Sequence, residues 1–286
     1  MNFQITGSTN VLCVIGDPIA HSMSPKMHNA AIQDLGIDYV YTAFHVSNQR
    51  LEKAVEGFRA LQIKGINVTI PHKVEIMQYL DEIEPTAAKL GAINTILNED
   101  GVLKAKNTDG EGAIKSLKDN GCNPAGKKAV ILGAGGASRA LAYYLARDVE
   151  SLTLFDLDLE MAEKLAQSVR NHYDIPINAV KMELNAAKAA IEDCELLINA
   201  TPVGMHPKID QTPIPIDFLH TDLTVFDIVY NPIETKLLQD AKNIGCTAIS
   251  GVDMFVNQGY IAFEWWTNKT PNRDLMREIV VSNLKK

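Results

Sequence analysis

A glycine-rich turn inside the run AVILGAGGASRALAYYLA (129–146) limits the possible folds of this chain more than any other feature. The apolar stretch before the turn and the helix-forming stretch after it predict a strand, a tight turn and a helix. Gly133 and Gly135 occupy the first two positions of the dinucleotide-binding fingerprint, and Ser138 the third, where a small residue allows close packing. Such a turn binds a pyrophosphate at the helix N-terminus. The alternative is a strand–helix turn without a ligand.

Two aspartates follow the next apolar run, SLTLFD (151–156). Asp156 ends the second predicted strand of this unit, where an acid hydrogen-bonds the adenosine ribose hydroxyls of NAD. A 2′-phosphate brought within ~6 Å of a carboxylate would meet a repulsion of about 1–3 kcal/mol, and this stretch has no basic residue before Lys164. NAD is therefore favoured, and NADP stays open. Alternatively the aspartates cap the next helix, a role that Asp158 can combine with the first.

Short apolar runs alternate with amphipathic runs along most of the chain. This alternation predicts βαβ units and mostly parallel sheets, an α/β fold. The candidate strands lie at 11–16, 39–46, 66–70, 94–97, 129–135, 151–156, 195–201, 224–230 and 247–251. The first helix has recognisable start and stop signals: Ser24 is its expected N-cap, Pro25 suits its first position, and Gly36 suits its C-terminal end.

The length of 286 residues allows two domains with one core each. Between the two series of strands, the stretch 120–128 is rich in Gly, Pro, Asn and Lys, which indicates a boundary near 105–125. We predict one domain at 1–110 and a second at 111–251. The tail, 252–286, is helical in pattern and is expected to dock back on the first domain.

Charge and cysteine spacing limit the partners. The net charge of −8 and the pI near 5.4 argue against nucleic acid as a partner. No apolar run reaches the roughly 18–20 residues of a membrane span, and the start of the chain lacks a signal-peptide pattern. The four cysteines form no CxxC pair, so we expect no zinc site, no disulfide framework and a cytoplasmic protein. The expected oligomeric state is a monomer or homodimer.

Polar residues cluster at predicted strand ends in AHSMSPKMHN (20–29), NVTIPHK (67–73), GAINT (91–95) and KNTDGEG (106–112). Together with NATPVGM, YNP and VDMFVNQG in the second half, these motifs make the chain resemble the shikimate dehydrogenase family nearly end to end. The resemblance implies an N-terminal α/β substrate domain, a Rossmann-type dinucleotide-binding domain, and an active site in the cleft between them.

The resemblance also implies the activity, an NAD(P)-dependent oxidoreductase acting on a CH–OH group. Such an enzyme interconverts 3-dehydroshikimate and shikimate by hydride transfer at C3, a step of aromatic amino acid biosynthesis. Quinate stays open as a further substrate. Two other functions compete with this one: a non-catalytic shikimate- or quinate-sensing module on the same fold, and a dehydrogenase for another small hydroxy acid.

The site residues implied by the resemblance fall into three groups. Lys73 and Asp109 would form the catalytic pair at the reacting oxygen. The expected substrate contacts are Ser22, Ser24, Thr69, Asn94, Tyr230 and Gln258. The expected cofactor contacts are Gly133, Ala134, Gly135, Gly136, Ala137, Asp156, Asp158, Ile228 and Gly251, and no metal is expected.

Elementary chemistry supports these roles separately. A carbonyl that receives hydride develops alkoxide character, which the Lys73 ammonium can stabilise and protonate. Asp109 would orient that ammonium, and the small hydroxyls of Ser22 and Ser24 suit a carboxylate. The alternatives are a surface lysine at 73, a turn residue at 109 and a plain helix cap at the serines. His21, His28 and His72 are expected to be structural.

Two positions depart from the family pattern. NADP-type members carry Asn-Arg-Thr where this chain has Asp156-Leu157-Asp158, which resembles the NAD-using quinate/shikimate branch. Asp253 stands where a small residue is usual, and the sequence offers no physical account of it.

Overall fold

The computed structural model describes residues 4–284, which form two compact units. The first unit extends to Thr108 and resumes at Val256, and the second runs from Asp109 to Phe255. The predicted domain limits, 1–110 and 111–251, concern which parts of the chain fold independently, and they remain a prediction. Residues 285 and 286 of the predicted tail lie outside the described residues. Within residues 4–284, no helix has both the length and the apolar character that a membrane span requires.

The first unit is built on a six-stranded sheet with the order β2-β1-β3-β5-β6-β4. Its elements are β1 (Asn10–Gly16), α1 (Ser24–Leu35), β2 (Tyr39–His45), α2 (Leu51–Ala60), β3 (Gly65–Val68), β4 (Glu82–Ile83), α3 (Pro85–Leu90), β5 (Thr95–Glu99) and β6 (Val102–Lys106). The predicted α/β fold is confirmed, but β5 runs antiparallel to both of its neighbours. The pairing of β5 with β6 has a local reason: Asp100 and Gly101 both have positive φ, and such a two-residue turn joins antiparallel strands.

The second unit is built on a six-stranded sheet in which every strand pairing is parallel. Its elements are α4 (Thr108–Asp119), β7 (Lys128–Leu132), α5 (Gly136–Leu145), β8 (Ser151–Asp156), α6 (Leu159–Arg170), β9 (Ile177–Lys181), α7 (Leu184–Glu192), β10 (Leu196–Asn199), β11 (Thr224–Asp227), α8 (Lys236–Ile244) and β12 (Thr247–Ser250). The order β12-β11-β10-β7-β8-β9 is the doubly wound Rossmann order. Ligands of such sheets bind where the order reverses, here between β7 and β10.

The helix ends agree with the sequence in part. Gly36 ends α1 in the left-handed conformation, and Asp158 caps α6 by accepting from the Glu160 N–H at 2.9 Å, both as predicted. The expected cap at Ser24 is wrong, because Ser24 is the first residue of the helix. The N-cap residue is Met23, and the Ser24 N–H donates to Ser22 Oγ at 3.3 Å.

The chain ends in α9 (Gly251–Thr267) and α10 (Arg273–Leu284). Trp266 of α9 is 1% exposed, and its indole N–H donates to the Ile96 carbonyl of β5 at 2.8 Å. Its ring lies over Gly65 of β3, where an added Cβ would come within 2.5 Å of it. This one side chain therefore holds the C-terminal half of α9 on the first sheet. Its neighbour Trp265 is only partly buried and lies beside the Lys106 ammonium.

Trp266→Ala is expected to lower the free energy of unfolding by about 3–5 kcal/mol, because it leaves a large cavity and an unpaired carbonyl. Trp265→Ala is the matched control and should cost about 1 kcal/mol, since it removes a half-buried ring and one cation–π contact. Urea unfolding followed by circular dichroism measures both. Equal losses in the two variants would contradict the anchoring role of Trp266.

Candidate functional site

The glycine turn of the second unit has the geometry of an anion cradle. Gly133 has φ +97°, and a Cβ there would lie 3.0 Å from the Ala200 carbonyl oxygen, so only glycine fits. Gly135 precedes the first turn of α5, and a Cβ on Gly135 or Gly136 would meet nothing within 4 Å. Exposed backbone N–H groups at a helix N-terminus suit a pyrophosphate, and the residues present fit a dinucleotide.

Asp156 lies at the carboxyl end of β8 and bonds directly to this turn. Its Oδ2 accepts from the Ala134 N–H at 2.7 Å, and its Oδ1 accepts from the Asp158 N–H at 3.0 Å. The carboxylate therefore links the glycine turn to the start of α6. Sheet pairing also brings Lys181 of β9 beside Asp156, a basic neighbour that sequence distance conceals. Arg139 lies in α5, and its Nε is buried without a hydrogen-bond partner.

In the first unit, a buried polar cluster surrounds Asn94. Asn94 Oδ1 accepts from the Thr108 N–H at 2.7 Å and from the hydroxyls of Thr95 and Thr108. The Asn67 amide donates to the Asn94 carbonyl and to Thr95 Oγ1, while its own Oδ1 accepts from the Tyr41 hydroxyl at 2.7 Å. These bonds fix the orientation of the Asn94 side-chain amide: Oδ1 faces the donors of Thr95 and Thr108, and Nδ2 points away from them. Sequence reasoning missed Tyr41 and Asn67, although Asn67 opens the quoted motif NVTIPHK.

The Ser24 hydroxyl reaches the same cluster. Burial raises the pKa of the Tyr41 phenol, the nearby Cys13 adds to this rise, and a hydrogen bond from Ser24 opposes it. Because the Tyr41 hydroxyl gives its proton to Asn67, Ser24 must be the donor in its bond with Tyr41. Ser22, Ser24 and Asn94 are thus brought together by bonds that run through Tyr41 and Asn67.

Backbone hydrogen bonds anchor the other candidates of the first unit. The Thr69 N–H donates to the Ile15 carbonyl at 3.0 Å, and the Lys73 carbonyl accepts from the Ile93 N–H at 2.9 Å. Lys73 is therefore tied to the residue that precedes Asn94. Gln258 lies on α9 and is 9% exposed. The roles of these residues stay predictions.

Asp109 and Asp253 occupy equivalent places, each in the first turn of a helix. Asp109 lies in the first turn of α4, not in a free turn, and Asp253 lies in the first turn of α9. An acid in the first turn is stabilised by the partial positive charge of the helix N-terminus. This supplies the physical account of Asp253 that the sequence lacked.

The loop after β11 carries Ile228 and Tyr230. The Ile228 N–H donates to the Asn199 carbonyl at 3.1 Å, and the Tyr230 ring stacks on Phe255 at 5.4 Å between centroids. Gly251 touches this loop so closely that a Cβ would lie 2.3 Å from the Ile228 carbonyl oxygen. Glycine at 251 is therefore required by the loop itself.

Asp227, at the end of β11, is the main residue that sequence reasoning missed. It is fully buried, and its carboxylate accepts from Asn199 Nδ2 and the Val229 N–H, both at 3.0 Å, and from Thr235 Oγ1 at 2.6 Å. Burial raises the pKa of this carboxyl to about 6, and the three donors oppose the rise. The sequence did contain a signal for Asp227: it ends the apolar strand TVFD (224–227), just as Asp156 ends SLTLFD (151–156).

Of the three histidines that we expected to be structural, His28 and His72 are buried in the first unit. His28 stacks on Tyr41 at 4.3 Å between ring centroids, and burial lowers its pKa to about 3, so it is neutral. His72 contacts the Val46 carbonyl at 2.7 Å. Among residues 4–284, no group of three or more His, Cys, Asp or Glu side chains is arranged to hold a metal ion.

The doubly wound sheet, the glycine turn and Asp156 define the second unit as a dinucleotide-binding α/β unit. The family model of the shikimate dehydrogenase substrate binding domain matches residues 14–96, and that of the shikimate 5'-dehydrogenase C-terminal domain matches 251–281. Shikimate dehydrogenase (NADP(+)) from Methanopyrus kandleri is 42% identical, over 100% of this chain and 99% of the relative. The chain belongs to the shikimate dehydrogenase family, as the sequence motifs predicted.

Two solved structures are similar over nearly their whole length. The shikimate 5-dehydrogenase of Listeria monocytogenes, in complex with shikimate and NAD, is 39% identical with a TM-score of 0.93, over 98% of this chain and 99% of that one. A shikimate dehydrogenase in complex with NADP+ is 40% identical with a TM-score of 0.92, over 99% of this chain and 98% of that one. The predicted cofactor class, a nicotinamide dinucleotide, agrees with both.

The raised pKa of Asp227 predicts a pH-dependent stability. Its unfolded carboxyl, near pKa 3.8, loses its proton before the folded one at about 6, so this contribution to stability is present below pH 4 and is lost as pH rises to about 6. The loss should reach about 3 kcal/mol relative to Asp227→Asn, which cannot titrate. Urea unfolding of both proteins at pH 4, 5, 6 and 7 gives the difference. A constant difference would mean that the three donors cancel the effect of burial.

Proposed function

We propose that this protein is a shikimate dehydrogenase that interconverts 3-dehydroshikimate and shikimate with a nicotinamide dinucleotide, in the cytoplasm. The observation that carries the proposal is the near full-length similarity to a Listeria monocytogenes enzyme that binds shikimate and NAD. The Asn94 cluster supports it, because a polyhydroxylated acid needs several fixed polar groups. None of the three relatives described is a sensing module, and a sensor has no need for a catalytic lysine.

The substrate carboxylate is assigned to Ser22 and Ser24. The Ser24 hydroxyl donates to Tyr41 and can turn its proton to a carboxylate instead, which exchanges a neutral hydrogen bond for a stronger, charge-assisted one. Asn94 offers Nδ2 to a ring hydroxyl, because its Oδ1 already accepts from Thr95 and Thr108. Thr69, Tyr230 and Gln258 complete the proposed contacts.

Lys73 is proposed as the acid–base residue and Asp109 as the carboxylate that orients it. When bound, the nicotinamide ring supplies the hydride chemistry at C3. Lys73 Nζ gives a proton to the C3 oxygen during reduction and takes it back during oxidation. The bond between the Ile93 N–H and the Lys73 carbonyl holds the lysine backbone in place for this transfer.

Lys73→Ala should lower kcat for shikimate oxidation by roughly 10²–10⁴, with a small change in KM, since the proton acceptor is lost but the binding groups remain. The control is Lys89→Ala, an exposed lysine of the same unit, which should retain wild-type rates. Steady-state kinetics with shikimate and with quinate test the function at the same time. Wild-type protein without shikimate turnover would refute the proposed function, and a normal kcat in Lys73→Ala would refute only the role of Lys73.

Among the two cofactors, we propose that NAD is preferred. The Methanopyrus kandleri relative is named for NADP+, but here two carboxylates stand at the end of β8. Asp156 is held by the Ala134 N–H beside the glycine turn, where it can accept from the adenosine ribose hydroxyls. Asp158 adds negative potential while it caps α6. The residue between them, Leu157, is 81% exposed and has no group that could bind a phosphate.

The ratio of kcat/KM for NAD to that for NADP should exceed one, by about ten- to a hundredfold. Replacing Asp156-Leu157-Asp158 by Asn-Arg-Thr should move the ratio toward NADP, because two repulsive carboxylates are replaced by a bidentate donor. Lys181→Ala serves as the control for the basic neighbour of Asp156 and should leave the wild-type ratio unchanged. A wild-type ratio below one would contradict the preference, and a further fall in NADP use in Lys181→Ala would identify the phosphate-binding residue.

A further inference from the structure

The contacts of Asp227 extend to both loops that we assign to the cofactor. On one side, its bond to the Val229 N–H fixes the turn that carries Ile228 and Tyr230. That turn is also held by the backbone bond from Ile228 to Asn199 and by the close approach of Gly251. A buried carboxylate therefore sets the conformation of the residues that follow it directly.

On the other side, the same carboxylate orients Asn199. The Asn199 amide donates to Asp227, and its Oδ1 accepts from the Thr201 N–H at 3.1 Å and from Thr201 Oγ1 at 2.7 Å. These bonds shape the segment 199–201, whose Ala200 carbonyl lies against Gly133. Asn199 thus connects the carboxylate to the wall of the glycine turn.

The third partner, Thr235, ties the carboxylate to α8. Thr235 Oγ1 donates to Asp227 Oδ2 and accepts from the Leu238 N–H at 3.3 Å, which caps the helix. The Asn199 amide, the Val229 N–H and the Thr235 hydroxyl all donate to this carboxylate. None of the ion pairs between described residues involves Asp227. Its contribution is hydrogen-bond geometry rather than the neutralisation of a cation.

We propose that Asp227 is a positioning residue for the cofactor: through Asn199 and Val229, it holds the glycine turn and the 228–230 loop in the conformations that bind the dinucleotide. This inference rests on the proposed function for the assignment of Ile228 and the glycine turn. Asp227 itself does not have to touch the cofactor. Because it acts through accepted hydrogen bonds, an isosteric amide can replace it, since Asn keeps an oxygen toward Val229 and Asn199 and turns its NH₂ toward Thr235 Oγ1.

The test is fluorescence titration of NADH and NADPH in the absence of substrate, on wild type, Asp227→Asn, Asp227→Ala and the exposed control Asp217→Ala. The dissociation constant of the preferred cofactor should rise at least tenfold in Asp227→Ala and stay within threefold in Asp227→Asn and Asp217→Ala. In Asp227→Ala, shikimate affinity, measured by calorimetry without cofactor, should fall less than cofactor affinity, since Tyr230 is the one proposed substrate contact on the 228–230 loop. General destabilisation would weaken both ligands together, and thermal midpoints by circular dichroism identify it.

Three outcomes would overturn the proposal: cofactor affinity within threefold of wild type in Asp227→Ala, equal losses in the Ala and Asn variants, or equal losses for cofactor and shikimate. If Asp227→Ala does not fold, Thr235→Val should weaken the cofactor at least threefold, while Thr235→Ser, which keeps the hydroxyl, stays within twofold. A wild-type protein that binds the dinucleotide but does not oxidise shikimate would refute the proposed function and leave this test valid.

Discussion

The close contact between Gly133 and the peptide of Ala200 is the constraint on which the second unit depends. β7 and β10 are neighbours in the sheet, and the chain leaves both at the same edge, so their following residues meet at one point. Any side chain at 133 would push the Ala200 carbonyl away and would also oppose the positive φ of that residue. The absence of a side chain brings the backbone N–H groups of the turn to the N-terminus of α5, the position that we propose for the pyrophosphate of the cofactor.

In both units, buried polar groups rather than apolar packing set the geometry of the candidate site. In the first unit, hydrogen bonds run from Ser24 through Tyr41 and Asn67 to Asn94, and each direction of donation is set by the next acceptor. In the second unit, Asp227 accepts from three donors that belong to different segments. An incomplete network of this kind destabilises the folded protein, since each buried polar group left without a partner lowers the free energy of unfolding by about 1–3 kcal/mol. They therefore favour one arrangement of the loops over many similar ones.

The features that were predicted correctly are those encoded by neighbouring residues. Gly36, Asp158 and the glycine turn act through the backbone conformation of residues within a few positions, so the local pattern is sufficient. The same logic could have found β6 and its hairpin with the predicted strand β5, because Asp100-Gly101 is a hairpin signal. The short β9 was missed because it is an edge strand with little apolar alternation. Ser24 was misassigned because the sequence could not show that Ser22 Oγ already accepts from its N–H.

The sequence alone determined four features of this protein: the alternation of strands and helices, the dinucleotide turn, the acid at the end of β8 and the family to which the chain belongs. These follow from short motifs, which keep their meaning wherever the rest of the chain lies. The tertiary structure decided which distant residues become partners: Lys181 beside Asp156, Asn199 and Thr235 around Asp227, and Tyr41 over Asn67. Those contacts depend on strand order and register, which result from packing the entire sheet and are absent from any local stretch of residues.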